Sequence, residues 1–296
     1  MTLKVTIDTS FIDEVLTYLN IPNNENFLTI LKHEAAKEIH DNALLSQSTT
    51  KTIKEFWEEI ILKEKNKGPQ YNQKILSALE YIIERKNFFI KEFQEIEKFI
   101  PSEKNIKCKL YLMIGYDIGI ANKNNAYINL GYPLFHKDPK ELLYFSMHEL
   151  HHVVYFNYHP IKSLNEIKTS LDLLNVIKYY TFLEGLATYL TLNKRIQEQD
   201  LTFKDYKILT NKRLTRKYTR EYFKIISELS LQAERPVTAS DFDILEQMSG
   251  GRRLWYITGA YMVKTIDEII GRDMLIKTMK YGPESLFVYH KSITYK

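Results

Sequence analysis

Phe145-Ser-Met-His148-Glu149-Leu-His151-His152-Val-Val154 is the stretch on which the reading of this chain turns. It contains His148-Glu149-x-x-His152, two histidines four positions apart with a glutamate beside the first. If the segment is helical, residues four apart lie one turn above each other, and both imidazoles project from one face. At that spacing they can hold a single Zn²⁺ at about 2.0–2.1 Å each. Glu149 is rotated by roughly 100° from His148, so it stands beside such an ion and can take a proton from a water there. The flanking Leu142, Leu143, Phe145, Val153 and Val154 bury the helix, as an ordered site needs. A buried helix with a hydrogen-bonded histidine cluster is the alternative. His151, three positions from His148, points off the face of the pair.

A catalytic zinc needs a third protein ligand and one position left open. One continuation of H-E-x-x-H places Gly three residues on and His six on, but here those positions are Tyr155 and Tyr158. The other takes a glutamate from a later helix. Thr181-Phe-Leu-Glu184-Gly185-Leu-Ala187-Thr-Tyr189-Leu190 supplies one on a strongly apolar background. A carboxylate there is costly to bury unless something pairs with it, and a metal would. Gly185 and Ala187 are expected to let this helix approach the His148 helix. The alternative is a glutamate at a groove edge or hydrogen-bonded to a tyrosine.

His148-Glu149…His152 followed by Glu184-Gly185-Leu-Ala187-Thr-Tyr189 resembles the gluzincin metallopeptidases, the aminopeptidase N-like family among them. A third block, Tyr256-Ile-Thr258-Gly259-Ala260 and then Asp267…Gly271, is similar to that family's later tyrosine segment. The resemblance implies His148, His152 and Glu184 as ligands of one zinc ion per chain, Glu149 as general base, and a thermolysin-like catalytic core. It also implies that Tyr256 is the hydroxyl that hydrogen-bonds the developing oxyanion, with Tyr261, Tyr281 and Tyr289 as the competing tyrosines. The departures are Leu183 before the glutamate, Thr258 in place of a lysine, and a wider gap between His152 and Glu184. That gap leaves an extra loop or helix over roughly 163–175 to accommodate. A Gly-x-Met-x-Asn element for gripping a free amino terminus is not found. The layout is similar to a group of predicted bacterial zinc peptidases. The implied function is hydrolysis of peptide bonds, and the alternative is a non-catalytic zinc-binding or interaction protein with a degenerate site.

Upstream, Ile106–Ile114 alternates and then turns fully apolar, the pattern of a strand entering a core. Ala126–Leu130 reads as a second strand, either the edge that pairs with an extended substrate or an interior strand. Asp138-Pro139 opens the His148 helix, as cap and first helical residue. Before residue 103 the pattern is helical: Phe11–Leu19, about 24–43, about 53–62, and Ile75 to about Phe99. After His159-Pro160 helices return almost to the end, with loops near 199–202, 235–240 and 249–251. The expected class is α+β, mainly α-helical, with a small sheet next to the H-E-x-x-H helix. The expected parts are a helical N-terminal region (1–103), the sheet and zinc-binding helices (104–195), and a C-terminal helical part completing the cleft (196–296).

Composition agrees with a globular chain: 296 residues, 44% hydrophobic, 26% charged, net charge +4. One cysteine, Cys108, excludes an internal disulfide and any multi-cysteine metal knuckle. The opening MTLKVTIDTSFIDE has no apolar leader-like run, and nowhere is there a run of about 18 apolar residues. The expectation is a cytoplasmic protein without a membrane span, or a secreted or surface-attached one if a signal peptide was removed. Lys212, Arg213, Arg216, Lys217, Arg220 and Lys224, interleaved with Tyr218 and Tyr222, could form an anionic-partner surface, but Glu221 interrupts it. A solvated helix face is the preferred reading, and nucleic acid is not an expected partner. Arg252 and Arg253 read as a solvated loop, with binding of a substrate carboxylate as the alternative.

Overall fold

The computed structural model describes residues 2–162, 164 and 167–294. It is mainly helical with one four-stranded sheet, an α+β arrangement. The chain divides into two compact units: residues up to Lys98 together with Ser102–Asn157, and Phe99–Pro101 together with Tyr158–Lys296. The stretch expected as a loop or helix near 163–175 includes Ser163, Asn165 and Glu166, which lie outside the described residues.

In the first unit the sheet order is β1-β2-β4-β3, with β1 Thr2–Asp8, β2 Asn105–Met113, β3 Gly119–Ala121 and β4 Asn125–Asn129. The region before residue 103 is therefore not purely helical. Leu3, Val5 and Ile7 alternate with exposed residues along β1, which pairs parallel to β2 from Thr2↔Asn105 to Asp8↔Tyr111. Between these strands run α1 (Ser10–Asn20), α2 (Asn24–Lys32), α3 (Glu34–Leu45), α4 (Ile53–Lys65), α5 (Pro69–Glu84), α6 (Lys86–Phe93) and a 3-10 turn at Gln94–Phe99. The helix expected over about 24–43 is two helices, broken at His33. There the imidazole Nδ1 accepts the Ala35 backbone N–H at 3.1 Å and caps the second helix. Phe11, Phe56 and Trp57 close this core edge-to-face, and the Trp57 indole N–H donates to the Ala36 carbonyl at 3.1 Å.

β4 lies between β2 (parallel) and β3 (antiparallel), and all five of its residues are buried. Of the two readings of Ala126–Leu130, the interior one holds, and the short β3 forms that edge of the sheet. After α7 (Pro133–Lys137), Asp138 Oδ1 accepts the Lys140 N–H at 3.1 Å and leads into α8, Glu141–Tyr158.

The second unit is built on α9 (Ser170–Gln197) and α13 (Leu254–Ile269). Thr169 and Asp172 form a capping box at the start of α9. The two helices meet backbone to backbone at Gly185 and Gly259: a Cβ on Gly185 would stand 2.8 Å from the Ala260 nitrogen. Gly185 thus serves the approach of α13, which corrects the expectation that it serves the His148 helix. Around this pair lie α10 (Lys204–Leu209), α11 (Lys212–Leu231), α12 (Ala239–Ser249), α14 (Arg272–Tyr281) and α15 (Pro283–Thr294). Leu173, Ile177, Tyr222, Leu229, Met248, Leu254 and Trp255 form an apolar core there.

On α11 the expected cationic residues Lys212, Arg213, Arg216, Lys217, Arg220 and Lys224 are exposed. The interleaved rings turn inward: Tyr222 is buried with its hydroxyl 2.7 Å from Thr181 Oγ1, and Tyr218 packs on the core. No helix among the described residues is long and apolar enough to cross a membrane.

Candidate active site

α8 delivers the first group of site residues. His148 and His152 stack one turn apart with ring centroids 4.5 Å from each other, nearly perpendicular. His148, Glu149 and His152 each bring one potential ligand atom to a common point, all within 4.8 Å of one another. His148 is partly exposed, while Glu149 and His152 are buried. His151 is fully buried beside Tyr155, at a centroid distance of 6.2 Å.

The carboxylate of Glu149 packs against the edge strand. A Cβ on Gly119 of β3 would lie 2.7 Å from Glu149 Cγ and 2.9 Å from its Oε1. Only glycine leaves the carboxylate that room. The loop into β3 is itself pinned from β4: Asn129 Oδ1 accepts the Gly115 N–H at 3.2 Å and the Gly131 N–H at 2.9 Å. Gly115, with φ +80°, takes the left-handed turn that this loop needs.

The donors fit a zinc ion chemically. Two imidazoles on a buried helix, partly open at His148, are a ligand type that suits zinc and not calcium or magnesium, and the carboxylate of Glu149 stands beside them.

The second group stands in the second unit. Glu184, on α9, is buried, and its charge reaches Tyr179, Tyr180 and Tyr256. Burial pushes all three phenols up and Glu184 adds to it, with Tyr180 pushed up to about 12. Tyr180 precedes Glu184 by one helical turn, a proximity that the i, i+4 spacing encodes, and its ring stacks on Trp255 at 5.1 Å. Of the competing tyrosines, Tyr281 is 66% exposed and Tyr261 packs against His290.

Asp267 of α13 is tied to both α9 and α14. The Tyr189 hydroxyl donates to Asp267 Oδ2 at 2.7 Å, and Arg272 Nε donates to Asp267 Oδ1 at 2.7 Å. Burial alone would raise the Asp267 carboxyl, but these two partners hold it below its ordinary range. Arg253 was expected in a solvated loop. Instead its guanidinium lies 3.6 Å from the centre of the Tyr256 ring, and its Nε donates to the buried Asp205 at 2.7 Å. Arg252 pairs with Glu221.

Residues 17–294 match the DUF5700 family, described as "putative zinc dependent peptidase". The chain belongs to this family. No curated protein and no solved structure matches it. For a member of a zinc-peptidase family, the convergence of His148, Glu149 and His152 on α8 is the feature to which a metal is chemically suited. Glu184 and Tyr256 lie within electrostatic reach of each other in the second unit.

Proposed function

We propose that this chain is a zinc peptidase of gluzincin type that hydrolyses peptide bonds. What carries the reading is the clustering of the His148, Glu149 and His152 ligand atoms within 4.8 Å, in a chain of the DUF5700 family. In this reading His148 and His152 would hold one zinc ion, and Glu184 would be the third ligand, as the gluzincin resemblance implies. When bound, the metal lowers the pKa of a water to around 7 and polarises the scissile carbonyl.

The remaining work belongs to side chains. Glu149 takes the proton of the attacking water and passes it to the leaving amine. The absence of a side chain at Gly119 leaves room for that carboxylate beside the edge strand. Tyr256 donates its hydroxyl hydrogen to the oxygen on which negative charge develops, a role for a phenol that stays protonated, as its burial favours. An extended peptide adds to β3, whose other edge pairs with β4.

Metal analysis of the purified protein, with digestion of a mixed peptide library by wild type and Glu149→Gln, tests this. The expected result is about one zinc ion per chain in both proteins and cleavage by the wild type alone. Cleavage retained in Glu149→Gln overturns the assigned base. Zinc bound by a wild type that cleaves nothing supports the non-catalytic alternative.

A further inference from the structure

Arg253 combines three observations that an ordinary helix start does not need. It is the N-cap of α13 and sits at φ 55°, ψ 43°, a left-handed conformation in which a side chain bearing a Cβ is strained. Its Nε–H donates to Asp205 Oδ2 at 2.7 Å and its Nη1 to the Ser249 carbonyl at 3.3 Å. Its planar head lies over the Tyr256 ring at 3.6 Å, with the Phe203 ring 5.6 Å away.

The cap itself does not explain this. Ser, Asn, Asp or Gly caps a helix better than Arg does, and Arg253 makes no side-chain cap hydrogen bond. The partner on the other side is equally committed: the Asp205 side chain on α10 is only 2% exposed. A buried carboxylate fixes the guanidinium, and the guanidinium fixes a phenol ring. The ring and Arg253 both lie in the field of Glu184.

We propose that Arg253, clamped by Asp205, is the positioning residue that holds the Tyr256 ring in the orientation its hydroxyl needs for catalysis. This rests on the reading of Tyr256 as the donor to the oxyanion. Arg253 acts through Tyr256 and has no contact of its own with the reacting atoms. The ring is partly exposed, packs against the apolar core and contacts Trp255, whose own ring stacks on Tyr180. A cation lying flat on one face adds a constraint on the tilt of that ring without using the hydroxyl.

The test uses the zinc-loaded full chain and a peptide that it cleaves. Glycine accepts φ 55° freely, so Arg253→Gly removes the side chain without straining the backbone. Expected are a fall in kcat of roughly 10–100-fold with KM nearly unchanged, and a comparable or larger fall for Tyr256→Phe. The double variant is expected to be no slower than Tyr256→Phe alone. Added methylguanidinium restores part of the kcat of Arg253→Gly and nothing in the double variant. Arg253→Lys, which keeps the charge and loses the flat stack, falls between wild type and Arg253→Gly. Affinity for a phosphinic pseudopeptide, read by calorimetry, weakens in the same order. Additive losses, or an unchanged kcat in Arg253→Gly beside a slowed Tyr256→Phe, overturn the positioning role and leave the Tyr256 reading standing. An unchanged kcat in Tyr256→Phe overturns both.

Discussion

Gly119 stands so close to Glu149 that a single added methyl would lie 2.7 Å from the glutamate Cγ. The edge strand and the helix bearing the candidate base are therefore fitted to each other at one point, and the room for the carboxylate is set by a missing side chain. Gly119→Ala should leave zinc content unchanged while displacing Glu149, with a loss of about 10²-fold in kcat. Metal analysis beside initial rates on one peptide decides it, and an unchanged rate would show that the carboxylate has slack.

The imidazole pair makes a second claim. A metal held by His148 and His152 in the folded state alone raises the melting temperature, by mass action. Added zinc should stabilise the wild type against heat and do nothing for His152→Ala. Thermal unfolding of both proteins, each with and without zinc after chelator treatment, is the measurement. Equal shifts in the two proteins would place the metal elsewhere.

Gly259→Ala gives a prediction whose sign opposes the usual one. On helix propensity alone the change inside α13 would gain about 1 kcal/mol. Here the new methyl would meet the Thr181 carbonyl and lie 2.8 Å from Gly185 Cα, so α9 and α13 must separate. A net destabilisation of about 2–3 kcal/mol is expected, as for other overpacked contacts. Chemical denaturation gives the number, and a stabilised variant would refute the close crossing.

His290 supplies the pH dependence. It is buried, stacked on Phe223 at 5.8 Å, and burial pulls its pKa from the ordinary 6.5 down to about 4. The folded chain holds it neutral, whereas the unfolded chain protonates it below pH 6.5. Its contribution is thus fully present above pH 6.5 and is lost as pH falls towards 4, on the order of 3 kcal/mol in all. His290→Phe should lose less stability than the wild type between pH 7 and pH 4.5, measured by urea unfolding. Parallel losses in the two proteins would contradict it.

Much of the site could be read from the sequence because its parts are local. His148, Glu149 and His152 fall on one helix, and helical periodicity brings two of them to one face without reference to anything distant. Glu184 was detectable as a charge in an apolar run. The Gly259-Ala260 step was legible as a pattern, but its contact with Gly185 depends on how two helices cross, which neither sequence segment states alone. Arg253 and Asp205 come from separate helices, α13 and α10, and nothing local links them. β1 was readable in the alternation of Leu3, Val5 and Ile7, yet a seven-residue strand is convincing only beside its partner. β3, with three residues, has too little pattern to register at all.

The pairing of β1 with β2 joins Thr2 to a residue 103 positions further on. During synthesis the first strand leaves the ribosome long before its complement exists, while six helices are made in between. Until Asn105–Tyr111 emerges, a ribbon of alternating apolar residues waits with both rows of backbone groups unpaired, open to capture by any other chain. Closing this sheet therefore means bringing together segments 103 residues apart, the slowest kind of contact for a chain to make.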